Sequence, residues 1–216
     1  MWMTSTDKRF AACLFGAGGV IFGLVVGVVP LDMGPQLIAD DGAVQLATFA
    51  TLVAAAILAI TRALKDPDQR IAMSQISYLL LLYAAREADL HRSEWLPEHF
   101  SSARFYRSAD VGLEQKLVFG LFLISVAIVG VLVVRRVISQ VGPAVRARQS
   151  WVLWSVLWAI VFIASQVSDQ SAWNEIFAGR AFEEIAEFVA AGIVVWTVRL
   201  YPGREDLTCA RLTPPA

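Results

Sequence analysis

Six long apolar runs constrain this chain more than any other feature. They lie near residues 10–30, 43–62, 70–91, 116–134, 150–168 and 182–200. A helix crosses the hydrocarbon core of a bilayer with about 20 residues, at about 1.5 Å of rise each. The first, second, fourth and fifth runs meet that length easily. The third and sixth meet it only by carrying ionisable residues at one end. The expected fold is all-α, a polytopic bundle of six transmembrane helices forming one integral membrane domain. Residues 92–115 are then an outer interfacial loop, and 201–216 a cytoplasmic tail. Lys8 and Arg9 before the first run resemble the basic start of a signal peptide. The run is too long for a signal core and no A-x-A-like site follows it, so it is read as a retained helix.

Composition agrees with that solvent. Of the 216 residues, 57% are hydrophobic and 17% charged, against about 45–50% and 25% in an ordinary soluble domain. This excludes a disordered or collagen-like chain. The net charge of −1 gives no basic field for phosphates, which excludes a nucleic-acid-binding domain. Cys13 and Cys209 have no metal-ligand spacing and are read as free thiols.

The near-zero net charge hides an asymmetry. The N-terminus, the loops 62–70 and 135–149 and the tail carry 12 of the 18 Lys and Arg residues, but only 5 of the 19 Asp and Glu residues. The opposite side carries the remainder. Positive charge accumulates on the cytoplasmic side of a membrane, so both termini are expected inside. Trp151 and Tyr201 then lie near the inner interface and Trp95 near the outer one. The expected location is the plasma membrane, the inner membrane if the source is bacterial.

Two stripes have packing explanations. Gly19, Gly23 and Gly27 recur every four residues and present a smooth face for close helix approach. That face would meet the second helix, through small residues such as Ala47, Ala50, Ala54 and Ala55, or else form an interface with a second copy or a partner subunit. Trp151, Trp154 and Trp158 form a stripe read as lipid-facing or interhelical packing.

Polar residues cluster at the outer ends of three helices. Glu87 and His91 share a face of the third, and Asp89 is reached locally by Arg86 and Arg92. Gln166, Asp169, Gln170 and Trp173 make a stripe on the fifth. Glu183 and Glu187 share a face at the start of the sixth, with Glu184 offset. Carboxylates one or two turns inside a span are costly unless paired, hydrated or metal-bound. Glu87, His91, Asp169, Glu183 and Glu187 are therefore expected to line a polar vestibule opening outward. Glu87, His91 and Glu187 would suit a divalent metal, since helical bundles place Glu and His ligands at such spacings.

Three functions fit this cluster. The first is an enzyme acting on a lipid or lipid-linked substrate at the outer leaflet, by metal-activated water or by general acid–base catalysis. The second is a cation- or proton-coupled transporter or channel subunit. The third is a non-catalytic membrane subunit that stabilises a partner. A structural network is the competing explanation, because acids suit the first turn of a helix and Arg86, Arg92 and Arg180 are at hand to neutralise them. Membrane lipids are the expected surroundings in every case. Polytopic zinc hydrolases of the alkaline ceramidase-like group carry several transmembrane histidines. This chain has His91 alone at a comparable position, so no residue is carried over from them. H-x-x-x-H, H-E-x-x-H, G-x-S-x-G and Walker motifs are absent from the sequence.

Overall fold

A computed structural model describes residues 2–28, 42–88, 102–170 and 176–201. These form seven helices: α1 (Ser5–Gly27), α2 (Ala43–Lys65), α3 (Arg70–Glu87), α4 (Ala103–Arg107), α5 (Leu113–Arg146), α6 (Ser150–Asp169) and α7 (Phe177–Leu200). Among the described residues there is no strand. Four helices, α1, α2, α5 and α6, are long and apolar enough to cross a membrane. In lipid a backbone must satisfy its own hydrogen bonds, and a continuous helix does so. Each of α3 and α7 carries more charge, with Arg70, Arg86 and Glu87 in α3 and three glutamates in the first half of α7.

The helix with those glutamates is the centre of the bundle. α7 packs against α1, α2 and α6, while α3 packs on α2. Ala181, Ala186, Ala190, Ala191 and Gly192 of α7 are all buried, and such small side chains let neighbouring helices approach closely. The facing surface of α2 is also small, with Ala55, Ala56, Ala59 and Ala63 buried. Hydrophobicity and burial run in opposite directions here. α5 has the highest mean hydropathy of the four spanning helices, 3.1, and none of its most apolar stretch is buried. Leu117, Leu121, Ile124, Ile128 and Val131 point outward. Water would penalise that surface, whereas lipid tails accept it.

The helices are tied at both ends. The Tyr78 and Ser125 hydroxyls, 2.8 Å apart, link α3 to α5. Ser77 donates to the Ala56 carbonyl at 3.3 Å, linking α3 to α2. At the end holding the N-terminus, Arg62 of α2 donates to the carbonyls of Val198, Arg199 and Tyr201, at 2.9 Å to Arg199 and 2.7 Å to Tyr201. The Tyr201 hydroxyl in turn donates to Gln140 of α5. Trp151 packs against the Tyr201 ring, with centroids 5.4 Å apart.

Three expectations need correction. The first is the pairing of the glycine helix with α2, because α1 leans on α7. Gly18 faces Val189 and Ile185 of α7, and a Cβ there would lie 2.8 Å from Val189 Cγ2. The spacing of Gly19, Gly23 and Gly27 described a smooth face correctly but did not say which face meets a neighbour. A Cβ at any of the three would meet nothing within 4 Å. Second, the buried small residues of α2 face α3 and α7, and Ala50 and Ala54 are exposed. Third, most of the expected inner loop 135–149 is helix. Val137, Val141 and Ala144 recur at helical spacing and pack on the core, so α5 runs on to Arg146. It ends with Arg148 in the left-handed region (φ 51°). Its last turn is closed by hydrogen bonds from Arg148 N to Val145 O (3.0 Å) and from Gln149 N to Ala144 O (2.9 Å).

These glycine environments give a measurable contrast. Gly18→Ala should destabilise by about 1–3 kcal/mol through overpacking against the stiff Val189. Gly19→Ala and Gly23→Ala should be neutral, or stabilising by up to about 1 kcal/mol. Thermal unfolding in detergent reads the difference, and equal effects at Gly18 and Gly23 would contradict the α1–α7 contact.

Candidate functional site

The outer-end acids are sorted sharply by packing. Glu87, at the end of α3, and Glu187, two and a half turns into α7, are both 6% exposed. Their side chains are in hydrogen-bonding contact, and the charges of Arg86 and Asp169 also act on Glu187. Gln166 of α6 donates to Glu187 Oε1 at 3.1 Å. One carboxyl group is thus held by side chains from two other helices. A hydrogen bond between two carboxyl groups needs a proton on one of them.

The other predicted residues take outer positions. Asp169 is exposed at the end of α6, close enough for its charge to reach Glu187. Glu183 and Glu184 are half-buried and both have interaction partners. His91 lies outside the described residues, as do Asp89, Arg92 and Trp173. Two of the three expected metal ligands, Glu87 and Glu187, are thus together. Among the described residues, no group of three His, Cys, Asp or Glu side chains is arranged to hold a metal ion. The expected outer loop contributes α4, whose buried Phe105 packs edge-on to Phe119 near the start of α5.

One neighbour of the pair escapes a reading of the sequence. Tyr83, one turn before Glu87, is close enough for the charges of both Glu87 and Glu187 to act on it. Its hydroxyl is buried with no hydrogen-bond partner among the described residues. Its ring packs edge-on against Phe162 of α6 at 5.9 Å. The spacing from Glu87 is helical, and that was the available signal. Below this level the buried polar side chains of α3 are neutral, among them Ser77. The buried carboxylates are Glu87 and Glu187 at one end and Asp7 at the other. Among the described residues, no carboxylate, histidine or basic side chain is buried between them.

Asp7 is the second residue the sequence reading passed over. It is 1% exposed and accepts four hydrogen bonds. Oδ2 receives the Thr4 backbone N–H and hydroxyl, both at 2.8 Å. Oδ1 receives the indole N–H groups of Trp196 (2.9 Å) and Trp154 (3.3 Å). Phe10 stacks on Trp196 with centroids 4.2 Å apart, and the Arg199 guanidinium covers the Trp196 ring at 4.8 Å. The signal was the Thr4-x-x-Asp7 capping box. It announces a helix start, but not that the same carboxylate binds two other helices. The tryptophan stripe therefore packs inside the bundle: Trp151 and Trp154 are buried.

The chain matches no protein-family model, no curated protein and no solved structure.

Proposed function

We propose that this is a six-span plasma-membrane protein with both termini in the cytoplasm, acting at its outer end on a lipid or lipid-linked substrate. The acting groups are the Glu87–Glu187 pair. A pair of carboxyl groups holding one proton between them supplies a general acid and a general base at one point. Gln166 orients Glu187, and Arg86 and Asp169 set the surrounding charge. Glu183 lines the approach.

The contact between Glu87 and Glu187 carries this reading. Transport by proton relay needs polar groups through the span, and among the described residues no carboxylate, histidine or basic side chain is buried between the two ends. That favours chemistry reached from one side.

The test compares membranes holding the wild-type protein with membranes holding Glu187→Gln or Glu87→Gln. At least one lipid species should change with the wild type, and each variant should abolish that change, a loss of about 100-fold or more for a general acid or base. Identical lipid profiles would remove the enzymatic reading. Proton flux in liposomes that depends on Glu187 would replace it with transport.

A further inference from the structure

A cleft of about 400 Å³ lies between α3, α5, α6 and α7, reaching from Tyr201 to Tyr83, one turn before Glu87. Its volume is in the range of ligand pockets. Its wall is apolar, with Leu79, Val133, Val137, Trp158 and Val194 among the lining residues. The two aliphatic hydroxyls in the wall turn away from it. Ser155 donates to the Trp151 carbonyl at 2.9 Å and Thr197 to the Ile193 carbonyl at 2.8 Å. Along α6 the cleft runs from Trp151 to Phe162. Those eleven residues rise roughly 16 Å, about half of the ~30 Å hydrocarbon core. Its depth is that of one leaflet.

The end of the cleft gives it a sign. Tyr201 and Trp151 line it at the end of the bundle that holds the start of α1. Arg136 sits on α5 between the lining residues Val133 and Val137, and its charge reaches Tyr201. Arg135 is exposed beside it. An apolar slot one leaflet deep, with the Arg136 charge acting at its Tyr201 end, is complementary to a lipid whose head is an anion. Basic pockets between transmembrane helices on the cytoplasmic side bind such heads. We propose that this cleft holds an acyl chain of an anionic phospholipid from the leaflet at the Tyr201 end of the bundle, with the lipid phosphate against Arg136. The cleft adjoins the Glu87–Glu187 pair through Tyr83, and the proposed phosphate contact lies at its opposite end. It would fill the gap that the loose contacts of α5 leave.

The test is a lipid competition. Purified full-length protein in detergent is given equal amounts of dioleoyl phosphatidylglycerol and dioleoyl phosphatidylcholine, and bound lipid is counted by native mass spectrometry. The anionic lipid should be retained about fivefold or more over the zwitterionic one, the worth of one arginine near the surface. Arg136→Gln, a change at the helix surface, should erase the preference. Val133→Trp should fill the cleft and reduce retention of the first lipid about tenfold, since chain burial is lost. Equal retention of the two lipids by the wild-type protein would overturn the proposal. So would a preference that survives Arg136→Gln. Wild-type retention by Val133→Trp would place the lipid on the outer surface and overturn it as well.

Discussion

Asp7→Ala should lower the unfolding free energy of the protein by roughly 3–5 kcal/mol. Two buried indole N–H groups lose their acceptor, at about 1–3 kcal/mol each, and the helix loses its capping box, worth about 1 kcal/mol. In a chain of this size that is roughly 6–20 °C in the unfolding midpoint. Asp7→Asn keeps one oxygen and the shape of the side chain, so it should lose about half as much. The decisive control removes the donors. Trp154→Phe with Trp196→Phe destabilises alone, but Asp7→Ala added to that pair should cost much less than in the wild type. Leaving no unpaired group is far cheaper than leaving two. Thermal unfolding of the four proteins in one detergent measures the coupling. Additive effects would mean that the carboxylate and the indoles are not partners.

Arg62→Ala is the second large effect. Arg62 reaches from the last turn of α2 to the end of α7 and donates to three carbonyls there. Helix ends leave carbonyls without partners, and the partial negative charge at that end favours a cation. Loss of these charge-assisted bonds should cost roughly 3–5 kcal/mol. Arg62→Lys should recover only a minor part of it, because an ammonium cannot fork to separate acceptors as a planar guanidinium does. Hydrogen exchange offers a local readout. The amides of Thr197, Val198 and Tyr201 should exchange faster in Arg62→Ala, while those of α5 stay as they are. Unchanged exchange at the end of α7 would show that water replaces the guanidinium without loss.

Both effects belong to the end of the bundle where the charge pattern looked ordinary. From the sequence, Asp7 and Arg62 counted only as charges on one side. Their partners are 147 and 189 residues away for Asp7, and 136, 137 and 139 for Arg62. No local periodicity reports contacts of that separation. The opposite end was more legible. Glu87, Gln166 and Glu187 stood out because charged and amide side chains inside apolar runs demand partners. Helical spacing then grouped them by face. It did not say that Glu87 would meet Glu187 while Asp169 stays at the surface. It also missed Tyr83 beside them.

The helices themselves show the same division. The apolar runs and the spacing of small and polar residues follow from local chemistry, and they determined the solvent, the helical class and the approximate extents. A stretch such as Leu117–Val134 can satisfy its backbone in lipid as a helix whatever surrounds it. Which helix lies at the centre was decided only by tertiary packing. α7 looks marginal by composition, yet its small residues and its buried, partnered Glu187 suit it to contact three neighbours. α5 looks strongest and is left outermost. The physical reason is that lipid and protein interior are equally apolar, so hydrophobicity places a helix in the membrane without ranking it within the bundle. That ranking comes from close packing and from buried polar groups finding partners, and both depend on surfaces that are distant in the chain.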